Sequence, residues 1–281
     1  MALVEFNCYT ILSAMLVSHR MKTLPALFFC VLLVVGCGPG TNFPRSRFSS
    51  SGTAGSGTAA SINPATASTL SGIVKLDGSP PSPRQIDMSA DPACQQVHPR
   101  PLQFSDVAKG PEGGLADVVV FFRMGLGSRK FEPPSAAVRL DQSGCFFQPR
   151  VVALMVGQRL ELHNSDATYH NVHSMPHANS SWNETDPPGA SIFQVFAEPE
   201  LMIPIVCNVH PWMRSYAFVF DNPFFAVTDT SGKFKIGNLP PGAYEIEVWH
   251  ERYGTLDQSV VVAPHSSPSV SFTYHAGTAS Y

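Results

Sequence analysis

Charge is scarce in this sequence. Only 14% of its 281 residues are Asp, Glu, Lys or Arg, and the formal net charge is -3 with no basic stripe. No nucleic-acid partner is therefore expected, because binding phosphate needs clustered cations. Helical periodicity is missing too. Apolar residues come in short Val/Ile/Phe/Tyr runs broken by 21 glycines and 25 prolines, the texture of strands joined by turns. No Ser/His/Asp set, paired acids or open catalytic metal site stands out, so the residues predict a protein that is not an enzyme.

Long apolar runs are absent except for one near the N-terminus. Met21 and Lys22 precede an apolar stretch over residues 24–35, followed by Gly36 and Cys37. A basic start, a short apolar run and a small residue make a secretory signal, and the run is too short to span a bilayer comfortably. The Val34-Val35-Gly36-Cys37 ending resembles the lipobox of bacterial lipoproteins, which implies lipid on Cys37. Residues 1–37 then read as a signal peptide with Met21 as its true start. Residues 38–68, rich in Gly, Ser, Thr, Ala and Pro, have almost nothing to bury and read as a flexible linker. The expected location is outside the cytosol, in the periplasm or at the cell surface, with the folded part anchored to a membrane.

Cysteine is sparse and odd in number once this segment is set aside. Cys8 and Cys30 fall within the signal and Cys37 is the lipid site, leaving Cys94, Cys145 and Cys207. In an oxidising compartment an odd thiol calls for an explanation. The simplest is a Cys94–Cys145 disulfide with Cys207 held by a metal, although either of the first two could be free or pair with Cys207. A second site on Cys94 and His98 has too few ligands in view.

The chemistry concentrates in Cys207-Asn208-Val209-His210-Pro211-Trp212-Met213, which sets a thiolate, an imidazole and a thioether three residues apart. Upstream, His170-Asn171-Val172-His173 offers a second imidazole. Two nitrogens, a thiolate and a weak thioether are the ligand set of a type 1, or blue, copper electron-transfer centre. Zinc fits less well, since Met is a poor zinc ligand and a fourth Cys, His or carboxylate would be needed. A binuclear copper centre would need a second loop cysteine. Side chains three apart on a strand face opposite ways, so His170 and His173 do not both bind one ion, and spacing alone does not choose between them. His163 and His177 are further candidates, more naturally loop or solvent-facing residues. Pro211 and Trp212 flank the loop histidine and would form an apolar docking patch around its exposed edge, or Trp212 would seal the site from water.

Strands are predicted over residues 70–76, 116–122, 138–140, 145–147, 151–154, 159–164, 193–196, 201–206 and 216–220. A second set covers 225–228, 233–236, 244–249 and 259–262. The continuous apolar run at 116–122 suits a strand buried on both faces, whereas 159–164 alternates like a half-exposed one. Residues 79–114 read as irregular with one short element, and those from about 264 as a strand fragment and loose tail. About fifty residues of hairpins at the C-terminal end bury little alone, so they would pack on the larger unit or borrow a strand such as 70–76.

His-Asn-Val-His followed about forty residues on by Cys-x2-His-Pro-Trp-Met resembles the cupredoxins, the amicyanin type most closely. That likeness covers roughly residues 150–220. It implies a Greek-key β-sandwich, with His170 as the upstream ligand beside Cys207, His210 and Met213, and Asn171 bracing the ligand loop by hydrogen bonding. The Gly-Lys-Phe and Leu-Pro-Pro-Gly-Ala-Tyr segments between Phe225 and Val262 resemble the carboxypeptidase regulatory-like (transthyretin-like) sandwich. The expected organisation is all-β, with a cupredoxin-like domain over 69–220 carrying an N-terminal extension and a smaller β-sandwich over 222–274. The expected function is a one-copper carrier of single electrons among redox partner proteins. A copper carrier or sensor, or a structural lipoprotein, is the alternative.

Overall fold

The computed structural model describes residues 63–277. The signal segment, Cys37 and all but the end of the linker lie outside the described residues. The fold is all-β: eighteen strands, one short α-helix and one 3-10 turn make up the described elements.

One sandwich is built from both ends of the described chain. Its first sheet has the order β15-β1-β18 and its second β14-β4-β16-β17. These strands are β1 (Ser68–Asp77), β4 (Val119–Met124), β14 (Phe225–Val227), β15 (Lys233–Leu239), β16 (Gly242–His250), β17 (Gly254–Val262) and β18 (Ser269–His275). Segment 222–274 is thus completed by β1, which runs antiparallel to β15 and parallel to β18, and by β4, antiparallel to β14 and β16. The borrowed strand supplies Leu70, Val74 and Leu76 to a core shared with Phe234, Ile236, Ile246, Val248, Phe272 and Tyr274. The hairpin before β15 closes on Asp229, whose carboxylate accepts from the amides of Ser231 and Lys233 at 2.8 and 3.0 Å. Gly232 completes that turn at φ +76°, where a Cβ would lie 2.3 Å from the Val74 carbonyl, so the position requires glycine. The strand fragment expected beyond residue 264 is the full strand β18, which satisfies the free edge of β1.

The second sandwich pairs the sheet β10-β9-β12-β13-β7 with the sheet β11-β8-β5-β6. Its strands are β5 (Val138–Gln142), β6 (Phe147–Gln148), β7 (Val151–Met155), β8 (Arg159–Asn164), β9 (His170–Ser174), β10 (Trp182–Asp186), β11 (Ser191–Val195), β12 (Glu200–Val206) and β13 (Arg214–Phe220). Alternation in β8 points Leu160 and Leu162 inward, against Leu140, Val172, Ile205 and Ala217. The strand expected at 145–147 starts only at Phe147. Cys145 sits before it at φ +58°, in a turn.

Strand β4 explains its own unbroken apolar run. Val120 and Phe122 enter the first core, while Val119 and Phe121 face Val151, Phe218, Phe220 and Trp249, the layer joining the two sandwiches. Arg150 reinforces that joint, donating to Glu251 at 2.6 and 2.9 Å and to Asp106 at 3.2 Å.

Residues 84–104 are less irregular than their proline content suggests. A hairpin of β2 (Arg84–Ile86) and β3 (Leu102–Phe104) frames α1 (Pro92–Val97). Asp91 caps α1 by accepting from the amides of Ala93 and Cys94. This excursion packs Ile86, Met88 and Cys94 onto the second core.

Candidate metal centre

Strand β12 ends at Val206, and the next seven residues turn back into β13. The turn is closed by two main-chain bonds, Met213 N–H to the His210 carbonyl at 2.9 Å and Cys207 N–H to the Met213 carbonyl at 3.2 Å. Cys207, His210 and Met213 are all buried. Strand β9 lies beside β12, with Val206 opposite His173. Its alternation sends His170 inward and leaves His173 on the other face, 3.3 Å from the Asn208 side chain. The structure therefore brings His170, not His173, to the loop. One ligand atom each from His170, Cys207 and His210 lie within 4.8 Å of one another.

His170 Nδ1 is 3.0 Å from His210 Nδ1, which is 3.7 Å from Cys207 Sγ. Asn171 holds the thiolate side: its N–H donates to Cys207 Sγ at 3.4 Å, and its side-chain oxygen accepts from Asn208 N–H at 3.2 Å. His163 is turned toward Ser191, 2.8 Å away, and His177 lies in the loop whose amide donates to Glu200. Neither reaches the cluster.

Burial alone would push the Cys207 thiol up. Hydrogen bonds from His170, His210 and the Asn171 amide outweigh it and hold the thiol at about 5, ionised at neutral pH. His170 is shifted the other way, to about 9: burial disfavours its cation, but hydrogen bonds to Asp166 and Cys207 more than compensate. His210 is raised chiefly by Cys207, against burial, with Asp91 adding to the rise.

Sequence reasoning missed the two carboxylates. Asp166 accepts from His170 Nε2 at 2.9 Å, and Asp91 accepts from His210 Nε2 at 3.0 Å. Burial acts to raise both, yet the hydrogen bonds they receive keep both lowered and so ionised. The Asp91-Pro92 pair carries a legible helix-cap signal, but nothing local shows its reach to a histidine 119 positions on.

Cys94 and Cys145 form a disulfide, with S–S 2.03 Å, and Cys207 is a buried free thiol. Cys94 Sγ lies 3.8 Å from His210 Nε2. His98 bonds the Gly144 carbonyl at 2.8 Å, away from the cluster. The exposed edge expected on His210 is not there: the residue is only 2% exposed, because α1 and its cap cover it. Pro211 is exposed, whereas Trp212 is partly buried, its Nε1–H donating to the Cys145 carbonyl at 3.0 Å and its ring 5.2 Å from that of His210. Trp212 seals the loop side of the centre.

No family model matches the sequence, and no curated protein matches it. Solved structures that resemble part of it are copper proteins of the cupredoxin kind. A copper-containing nitrite reductase from Thermus scotoductus SA-01 is 20% identical over 34% of this chain, with TM-score 0.30, and the match spans 25% of that chain. A purple cupredoxin from Nitrosopumilus maritimus is 21% identical over 30% of this chain and 98% of its own, with TM-score 0.26. A copper(I) amicyanin variant is 21% identical over 31% of this chain and 91% of its own, with TM-score 0.27. The first of these corrects the expectation that the chain is not an enzyme. A nitrite reductase is an enzyme, so a sandwich of this kind carries no exclusion of catalysis.

Proposed function

We propose that this protein is a type 1 copper protein that carries single electrons outside the cytosol. The observation that carries the reading is the convergence of His170, Cys207 and His210 inside a sandwich core, with Met213 buried on the same loop. The donors fit a copper ion. The thiol is held ionised, and both imidazoles turn Nδ1 inward while their outer nitrogens are occupied by carboxylates. Copper in such a set cycles between its two oxidation states, and the chain's part is to keep the ligands fixed while it does so. Three of the ligands come from a turn pinned by main-chain bonds and the fourth from a neighbouring strand. Fixed donors keep the reorganisation between the two states small. A copper carrier or sensor would need exposed, labile ligands, and the burial of Cys207 and His210 favours the electron carrier.

The Cys94–Cys145 disulfide supports the exported location, with the lipid anchor on Cys37 and a redox partner protein met near a membrane. The first sandwich, whose sheets β1 and β4 complete, is read as a carboxypeptidase regulatory-like domain. The test is an absorption spectrum of the purified protein with added Cu(II). An intense thiolate-to-copper band in the visible that vanishes in Cys207→Ala is the expected result. No such band in the folded wild type would retire the proposal.

A further inference from the structure

The two carboxylates behind the histidines share a second set of partners. Asp91 accepts from the Cys94 amide at 3.1 Å and the Ala93 amide at 2.9 Å through Oδ1. Its Oδ2 accepts from His210 Nε2 and from the Thr168 hydroxyl, both at 3.0 Å. Asp166 accepts from the Gly144 amide at 2.7 Å through Oδ1. Its Oδ2 accepts from the Cys145 amide at 2.8 Å and from His170 Nε2 at 2.9 Å. Each carboxylate thus binds one histidine and the main-chain N–H of one half of the Cys94–Cys145 bridge. The disulfide closes these two arms into a single frame behind the site.

We propose that Asp91 and Asp166 are positioning residues which, joined through the Cys94–Cys145 bridge, orient His210 and His170 for copper and bias the bound ion toward Cu(II). The inference rests on the copper reading above. A carboxylate only accepts, so each Nε2 carries a proton and Nδ1 is the nitrogen turned toward the centre. The frame fixes the orientation of each ring before any ion arrives. Each half-buried anion adds electron density to its imidazole and negative charge near the centre, and both effects favour the more highly charged ion. It also gives the segment around α1, which has no counterpart in the ligand loop, a defined task at the site.

Asp91→Asn and Asp166→Asn test this in the full chain. Asparagine still caps helices, so Asp91→Asn keeps the α1 cap while its amide nitrogen cannot accept from His210. Each variant is expected to lose about tenfold in Cu(II) affinity, with Cu(I) affected less. A full tenfold change in the Cu(II)-over-Cu(I) preference raises the midpoint potential by 59 mV for one electron. Potential and Cu(II) affinity within twofold of wild type in both copper-loaded variants would overturn the proposal.

A measurement on the copper-free wild type needs no variant to fold. Histidine-selective nitrogen NMR should show both Nε2 atoms protonated and slow to exchange. Rapid exchange, or the opposite tautomer at either ring, would also overturn it. A wild type that takes up no copper yet shows two protected Nε2 protons would instead remove the function and leave the frame standing.

Discussion

His250 makes this protein acid-labile independently of any metal. The side chain ends β16 inside the first sandwich, 1% exposed, with its ring 5.1 Å from Tyr253 and 6.3 Å from Tyr274. Nδ1 accepts the Arg252 amide at 3.0 Å, so that nitrogen carries no proton in the fold. Burial, with the Arg150 and Arg252 cations adding to it, lowers the group to about 3. The unfolded chain has an ordinary histidine near 6.5 and so binds the extra proton first as pH falls. Stability is therefore complete above about pH 6.5 and declines toward pH 3, at about 1.4 kcal/mol per pH unit. By pH 4.5 the loss assigned to this residue is about 3 kcal/mol, and its limit is about 5 kcal/mol. His250→Gln keeps an acceptor for the Arg252 amide but does not titrate. Urea unfolding of this variant and its parent, both in a Cys207→Ala background to exclude metal, should give a stability difference that shrinks by about 3 kcal/mol between pH 7 and pH 4.5. A difference that stays constant with pH would refute the assignment.

Other perturbations probe the joint and the ligand loop. Arg150→Met strands Glu251 at the seam between the sandwiches and should cost about 2–4 kcal/mol in urea unfolding; a cost under half a kcal/mol would mean the ion pair is idle. Phe218→Ala opens a cavity in the layer shared with Trp249 and Phe220, with an expected loss of about 3–5 kcal/mol that thermal unfolding would detect. Asn171→Ala removes the bond to the Asn208 amide. Copper titration should then show about tenfold weaker binding with little change in unfolding of the copper-free protein, whereas unchanged affinity would make Asn171 dispensable to the loop.

Much of this molecule is legible in one dimension. Alternation in residues 159–164, the unbroken run in β4, and the Asp229-Thr230-Ser231-Gly232 turn are local consequences of strand period and backbone conformation. They determine that the chain is all-β. The ligand loop is equally local, since Cys207, His210 and Met213 sit within one turn. Choosing His170 over His173 needed the register of β9 against β12, because two residues three apart differ only in the face they present. Strand β18 was legible only as a fragment: Ser269–His275 alternates polar and apolar residues, but its partner, the open edge of β1, lies almost two hundred positions away and is supplied by the fold.

The sequence by itself determined the strand-rich class, the loop that gathers sulfur and nitrogen donors, and the odd thiol among three cysteines. The borrowing of residues 70–76 by the C-terminal strands was within reach of the sequence, whereas tertiary structure alone decided that β4 joins them. It alone brought Asp91 behind His210 and closed the face of that residue, whereas Asp166 lies only four positions before His170. The Asp91–His210 contact spans 119 positions and the Ser68–Ser266 contact beside β1 spans 198, where no periodicity reaches. The first exists because a carboxylate partly withdrawn from water must find donors wherever the fold presents them.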